Sequence, residues 1–140
     1  MTAEVRASRL PWVLLGAGAL FVLVLARVVT PDPSGYGTHE QLGLPACLFR
    51  LVTSLPCPAC GLTTSFAHMA RLDVLAAARA HALGVPLFVA TVAAVPFSTA
   101  GALRAWRFGA TLRALHASEA SLLAVGMLAF AWAVRLAGVW

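Results

Sequence analysis

The chain has 140 residues, 61% of them hydrophobic and 11% charged, with a formal net charge of +5. A soluble domain carries about 25% charged residues, so there is too little polar surface here for a water-facing shell, and the length suits one domain, spanning 1–140, rather than two. All the basic residues are arginines, and they flank apolar runs instead of forming a stripe interleaved with aromatics. That pattern argues against a nucleic-acid surface and marks them as membrane-flank anchors.

Arg6 and Arg9 followed by an apolar stretch resemble the start of a secretory leader. The residues after the stretch, Arg27-Val28-Val29-Thr30-Pro31, offer no small-x-small cleavage site, so a retained helix is expected. This first span is predicted over about 11–29, with Pro11 at a first helical position where its missing N–H is no loss and Arg27 reaching back to the headgroups. Residues 30–43 then form the most hydrophilic stretch, a turn-rich loop in which Asp32, His39 and Glu40 fall close together.

Residues 44–61 carry Pro45, Pro56, Pro58 and Gly61, which prevent a continuous helix through otherwise apolar residues such as Leu48, Phe49 and Leu51. Irregular backbone of this kind has to be buried in protein or lie at the interface, because unsatisfied amides cannot face lipid. A short helix is expected over 62–70, with Phe66, Met69 and Ala70 on one apolar face and Thr63, Thr64 and Ser65 capping its first turn. A break at Arg71-Leu72-Asp73 and an amphipathic piece over 74–80 follow, the Cys loop and these short helices together filling about 30–81.

The second span is predicted over about 82–103, kinked by Pro86 and Pro96. A basic turn with Arg104, Arg107, Arg113 and Trp106 leads to a third span over about 118–140, anchored by Arg135 and Trp140. With three spans, Arg6 and Arg9 share a side with Arg104, Arg107 and Arg113. The positive-inside rule makes that side cytoplasmic and turns the cysteines and the C-terminus outward. Gly16, Gly18, Gly84, Gly101 and Gly126 read as close-packing positions between helices.

The three cysteines of the chain, Cys47, Cys57 and Cys60, all lie in one short stretch, Cys47-Leu-Phe-Arg-Leu-Val-Thr-Ser-Leu-Pro-Cys57-Pro-Ala-Cys60-Gly61. A lone C-x-x-C is a modest signal. A third cysteine ten residues upstream, proline spacers and a following glycine sharpen it. In this stretch the chain resembles the DUF2752 family of small, uncharacterised bacterial membrane proteins. The pattern of that family is matched at Cys47, Thr53, Pro56, Cys57, Pro58, Cys60, Gly61 and Thr63, and again at Asp73 after the short helix. The resemblance covers about 47–83. Ser54 and Leu72 stand where the family has Gly, Thr64 where it has Arg, and His81-Ala82-Leu83 where it has Asn-Pro-Leu. The resemblance implies an architecture, an all-α membrane protein, and no activity.

Three chemistries fit the cysteines. A C-x-x-C pair with a third thiolate and a histidine makes a Cys₃His set for Zn²⁺, and three soft sulfurs also suit Cu⁺; His39 is the expected fourth ligand, with His68 or His81 as the alternative. The thiols can instead exchange with disulfides, Cys47 resolving the pair, although no thioredoxin-like or quinone cue accompanies them. Or a Cys57–Cys60 or Cys47–Cys57 disulfide simply pins the loop. His39 beside Glu40 also reads as a solvated loop pair, His81 as a snorkelling residue at the entry to the second span, and Asp73 as an ion-pair partner between Arg71 and Arg79. His116 falls on the side away from the cysteines.

No phosphate loop, nucleophile–base pair or intramembrane carboxylate pair is present in the sequence, so enzyme activity is not expected. The expected role is a non-enzymatic inner-membrane subunit or scaffold with a structural or metal-holding motif, the alternative a membrane thiol–disulfide or metal-handling factor. Its partners are the bilayer and another membrane protein or a second copy.

Overall fold

The computed structural model describes residues 3–55 and 57–136, with side chains from 9 to 133 apart from Pro56, and Leu136; Pro56 and Trp140, and the side chains of Arg6 and Arg135, lie outside. The described residues form seven α-helices and no strand: α1 (Ala3–Val28), α2 (Leu48–Thr53), α3 (Leu62–Met69), α4 (Val74–Ala80), α5 (Gly84–Leu103), α6 (Phe108–Ala114) and α7 (Ala117–Leu136), with a 3-10 helix at Thr38–Leu42. Two stretches are long and apolar enough to cross a membrane, Arg9–Val28 and Gly84–Leu103. A third exists if α6 and α7 are taken together, bent by 60° at the break between them. The protein is therefore an all-α membrane protein with two or three candidate spans and a cysteine segment between the first two.

The packing is inverted relative to a soluble domain. Ala19, Ala26, Ala67, Ala77, Ala80 and Ser98 are buried, whereas Leu14, Leu20, Phe21, Val89 and Leu123 are exposed. Lipid offers apolar side chains no reason to turn inward, so helices approach through small residues whose backbones can come close. The α1–α5 pair is the main contact. A Cβ at Gly16 would meet Ser98 and one at Gly101 would meet the Trp12 ring, while Gly18 and Gly126 have no neighbour within 4 Å, so only part of the expected glycine set packs helices.

Trp12 explains why α1 starts earlier than expected. The helix runs from Ala3 with Pro11 inside it. Trp12 is fully buried against Phe97, Trp106 and Phe108 in edge-to-face contacts, and its indole N–H donates to the Trp106 carbonyl at 2.8 Å. This aromatic cluster ties α1 to the α5–α6 turn. Burying several aromatic rings outweighs the one backbone bond that an internal proline removes. Pro86 falls in the first turn of α5 and costs nothing there, and Pro96 lies within a helix that continues through it.

At the opposite end, α3 and α4 pack beneath the loop. The buried face of α3 is Thr64, Ser65, Ala67 and Met69; of the expected Phe66, Met69 and Ala70 stripe, Met69 is buried and Phe66 and Ala70 are half-buried. Phe66 meets Phe88 edge-to-face, with ring centroids 5.4 Å apart. The hydroxyls do not cap the helix either: Thr64 bonds Thr38 at 2.8 Å and Ser65 donates to the His81 carbonyl at 3.3 Å. Arg71 also departs from the expected ion pairing. Its guanidinium donates to the carbonyls of Ala26, Arg27 and Val29 at the end of α1 and to Ala67 in α3, where a cation satisfies carbonyls that have no helical partner. Asp73 caps α4 through Ala76 N–H at 3.1 Å and lies 3.5 Å from His68.

Candidate metal centre

The cysteine segment builds its geometry from short-range rules. Cys47 is the residue before α2, a helix that fits between Pro45 and the C-P-A-C turn. The Cys57–Cys60 turn closes through the Cys60 N–H to the Cys57 carbonyl at 3.0 Å, and the Leu62 N–H follows onto Ala59 at 3.1 Å. Gly61 then starts α3 with φ +92°, and a Cβ there would strike the Ala80 carbonyl, so the position admits no side chain. His81, almost fully buried rather than snorkelling, sets its Nε2 3.0 Å from the Pro58 carbonyl. That contact braces the turn from beneath.

The outcome is that the sulfurs of Cys47, Cys57 and Cys60 lie within 4.8 Å of one another. All three are free thiols, Cys47 and Cys57 half-buried and Cys60 buried. Around a tetrahedral Zn²⁺ with Zn–S bonds of about 2.3 Å, neighbouring sulfurs stand about 3.8 Å apart, so a small inward shift completes three corners. Backbone amides already face the sulfurs. Ala59 N–H donates to Cys57 Sγ at 3.4 Å, and the amide of Arg50 lowers the Cys47 thiol below its ordinary value, with the Cys60 and Cys57 thiols adding to the effect. Burial pushes Cys60 the other way, up to about 11. Cys47 thus ionises before Cys60.

Cys47 and Cys60 open onto a cavity of about 500 Å³ that Tyr36, His39, Glu40 and Arg50 also line. Of the three histidines considered, His39 is the one on this cavity. His68 faces Asp73 and His81 faces Pro58. Among the described residues the group of candidate ligand atoms close enough to share one ion consists of the three sulfurs. Sequence reading did not single out Arg50 and Tyr36, whose guanidinium and ring stack at 4.5 Å beside the thiols. The available signal was spacing: Arg50 follows Cys47 by three residues on a helix, and so falls on the same face.

A bundle of apolar helices holding a three-thiol cluster at one end defines a small membrane-type protein with a soft-ligand site. Residues 47–95 match the model of the family described as Protein of unknown function (DUF2752), so the resemblance carried by the cysteine pattern holds over that stretch. No curated protein and no solved structure matches the chain. At the two positions where the sequence resemblance implies glycine, Ser54 has φ +57° and Leu72 φ +64°, the left-handed region that glycine enters without penalty. Thr64, where the resemblance implies Arg, is fully buried against Thr38.

Proposed function

We propose that this chain is a multi-pass bacterial inner-membrane protein, a non-enzymatic subunit or scaffold whose Cys47, Cys57 and Cys60 hold one Zn²⁺ or Cu⁺ ion, His39 closing the site from the shared cavity. The convergence of three free thiols within 4.8 Å carries the reading. Three thiolates on Zn²⁺ leave one negative charge, and Arg50 on the same cavity offsets it. The ion would fix a loop that hydrophobic burial alone does not hold, since Leu48, Leu51 and Val52 of α2 are all exposed. Its role in the fold is that of a closed structural site.

The orientation follows from the arginines. Arg9 lies at the start of the first span, Arg104 and Arg107 just after the second, and Arg113 in α6 before α7; by the positive-inside rule this supports a cytoplasmic N-terminus with the thiols outside. A subunit of this size, with α7 broadly exposed, needs a second membrane protein or another copy against it.

A second reading rests on the accessibility of Cys47 and Cys57 as free thiols. One thiolate attacks the disulfide of a partner protein, forming a mixed disulfide and releasing a partner thiolate. A neighbouring thiolate of the triad then displaces the second partner thiolate, leaving an intramolecular disulfide. Metal content and free-thiol count of the detergent-purified protein separate the two. About one ion per chain, lost in a Cys57→Ser/Cys60→Ser variant, supports the metal site. No metal and a single free thiol per chain would overturn it in favour of the disulfide chemistry.

A further inference from the structure

The cysteine turn has a second neighbour on its far side. Pro58 forms one wall of a cleft of about 240 Å³ between α4, the start of α5 and α7, with Leu83, Met127, Phe130 and Trp132 among its apolar walls and Arg79 at its edge. Arg79 is exposed in the last turn of α4 and has no hydrogen bond or ion pair with any described residue. The nearest acid in sequence, Asp73, is committed to His68 and to capping α4. Among the described residues the cleft therefore offers Arg79 as a free cation beside apolar walls.

Its level in the bundle matters. The second span starts at Gly84, five residues after Arg79, at the end of the bundle where α1 stops at Val28. A bilayer spanned by α1 and α5 puts its headgroups at this level, where arginine and tryptophan are enriched. A molecule with one negative head and a long apolar tail matches both features, and a bilayer supplies such molecules as its own solvent. We propose that this cleft seats one acidic phospholipid, its phosphate on Arg79 and an acyl chain along Leu83, Met127 and Phe130. A zwitterionic lipid gains less, because its own cation competes for the phosphate that Arg79 would hold. The site does not depend on the metal reading, with which it shares only the Pro58 wall.

The test is native mass spectrometry of the full chain in detergent, with phosphatidylglycerol and phosphatidylcholine offered in equal amounts. One phosphatidylglycerol retained per chain, preferred about fivefold, is expected for a single arginine at the membrane surface. Arg79→Gln should bring the preference close to one, and Ala131→Trp, which fills the cleft and leaves the charge in place, should lower retention of both lipids. A preference that survives Arg79→Gln, or one that disappears instead in Arg104→Gln/Arg107→Gln/Arg113→Gln, overturns the assignment. Metal content of Arg79→Gln is read in the same preparation, so a failed metal site and a failed lipid site give different results.

Discussion

Thr38 and Thr64 share a hydrogen bond of 2.8 Å, and both side chains are fully buried. Thr38 begins the 3-10 helix that carries His39, and Thr64 lies in the first turn of α3, just after the C-P-A-C turn. This one contact sets the polar loop over the cysteines. The Thr38 hydroxyl also accepts from the Asp32 amide at 3.0 Å, extending the tie into the loop. Thr64→Val keeps the shape, leaves the buried Thr38 hydroxyl with the Asp32 amide as its remaining partner, and should cost about 1 kcal/mol. Thermal unfolding in detergent measures the loss, and accelerated amide exchange over 30–42 shows whether the loop has come loose.

Arg71 gathers carbonyls from α1 and α3 with a planar fork. Arg71→Ala should destabilise the protein by about 2 kcal/mol, the range for hydrogen bonds that involve a charged group. Arg71→Lys should recover less than half of that, because a point ammonium cannot reach carbonyls spread across two helices. Equal melting temperatures for the lysine variant and the parent protein would show that charge alone is what matters there.

Much of the architecture was legible in the sequence, and the reasons are local. The break at 71–73, the helix over 74–80 and the apolar spans follow from proline, glycine and hydropathy, which act within a few residues. The inward face of α3 was legible only at Met69, because helical periodicity locates an apolar stripe, whereas helices in a membrane fold approach through small residues. Thr64, Ser65 and Ala67 pack inside for the reason Phe66 does not. The cysteines announced themselves by spacing. What spacing could not say was that His39 lines the cavity onto which Cys47 and Cys60 open, which depends on how the 3-10 helix folds back onto α3.

The thiols should differ in reactivity. Cys47 is lowered by the Arg50 amide, and Cys60 is raised to about 11 by burial. In the metal-free protein, iodoacetamide should modify Cys47 well before Cys60 at pH 7, as read by peptide mass spectrometry. The raised Cys60 favours the protonated thiol in the folded state. Its contribution to stability is complete below the ordinary value of 9.0 and is lost as pH climbs toward about 11. Metal binding must strip that proton, so ion affinity should rise with pH, and bound Zn²⁺ should protect all three cysteines from alkylation.

Leu72 is the opposite of a stabilising residue. It is 87% exposed and held at φ +64°, so it contributes strain without burial. Leu72→Gly should raise stability by about 0.5–1 kcal/mol, the relief of a left-handed leucine less the extra freedom of glycine in the unfolded chain. Ser54→Gly at φ +57° should act in the same direction. A fall in melting temperature for both would mean that these backbones are not left-handed in solution.

The inverted packing has a consequence for how the protein tolerates change. In a water-soluble domain, permissive positions lie outside and intolerant ones are the large apolar residues within. Here a saturation library should read as the negative of that picture. Leu20, Phe21 and Leu123 should exchange freely with any apolar residue, since the bilayer makes no demand on their shape. Ala67 and Ala77, buried without remaining surface, should reject anything larger than serine, because the chain keeps its form through the places where it has almost no side chain at all.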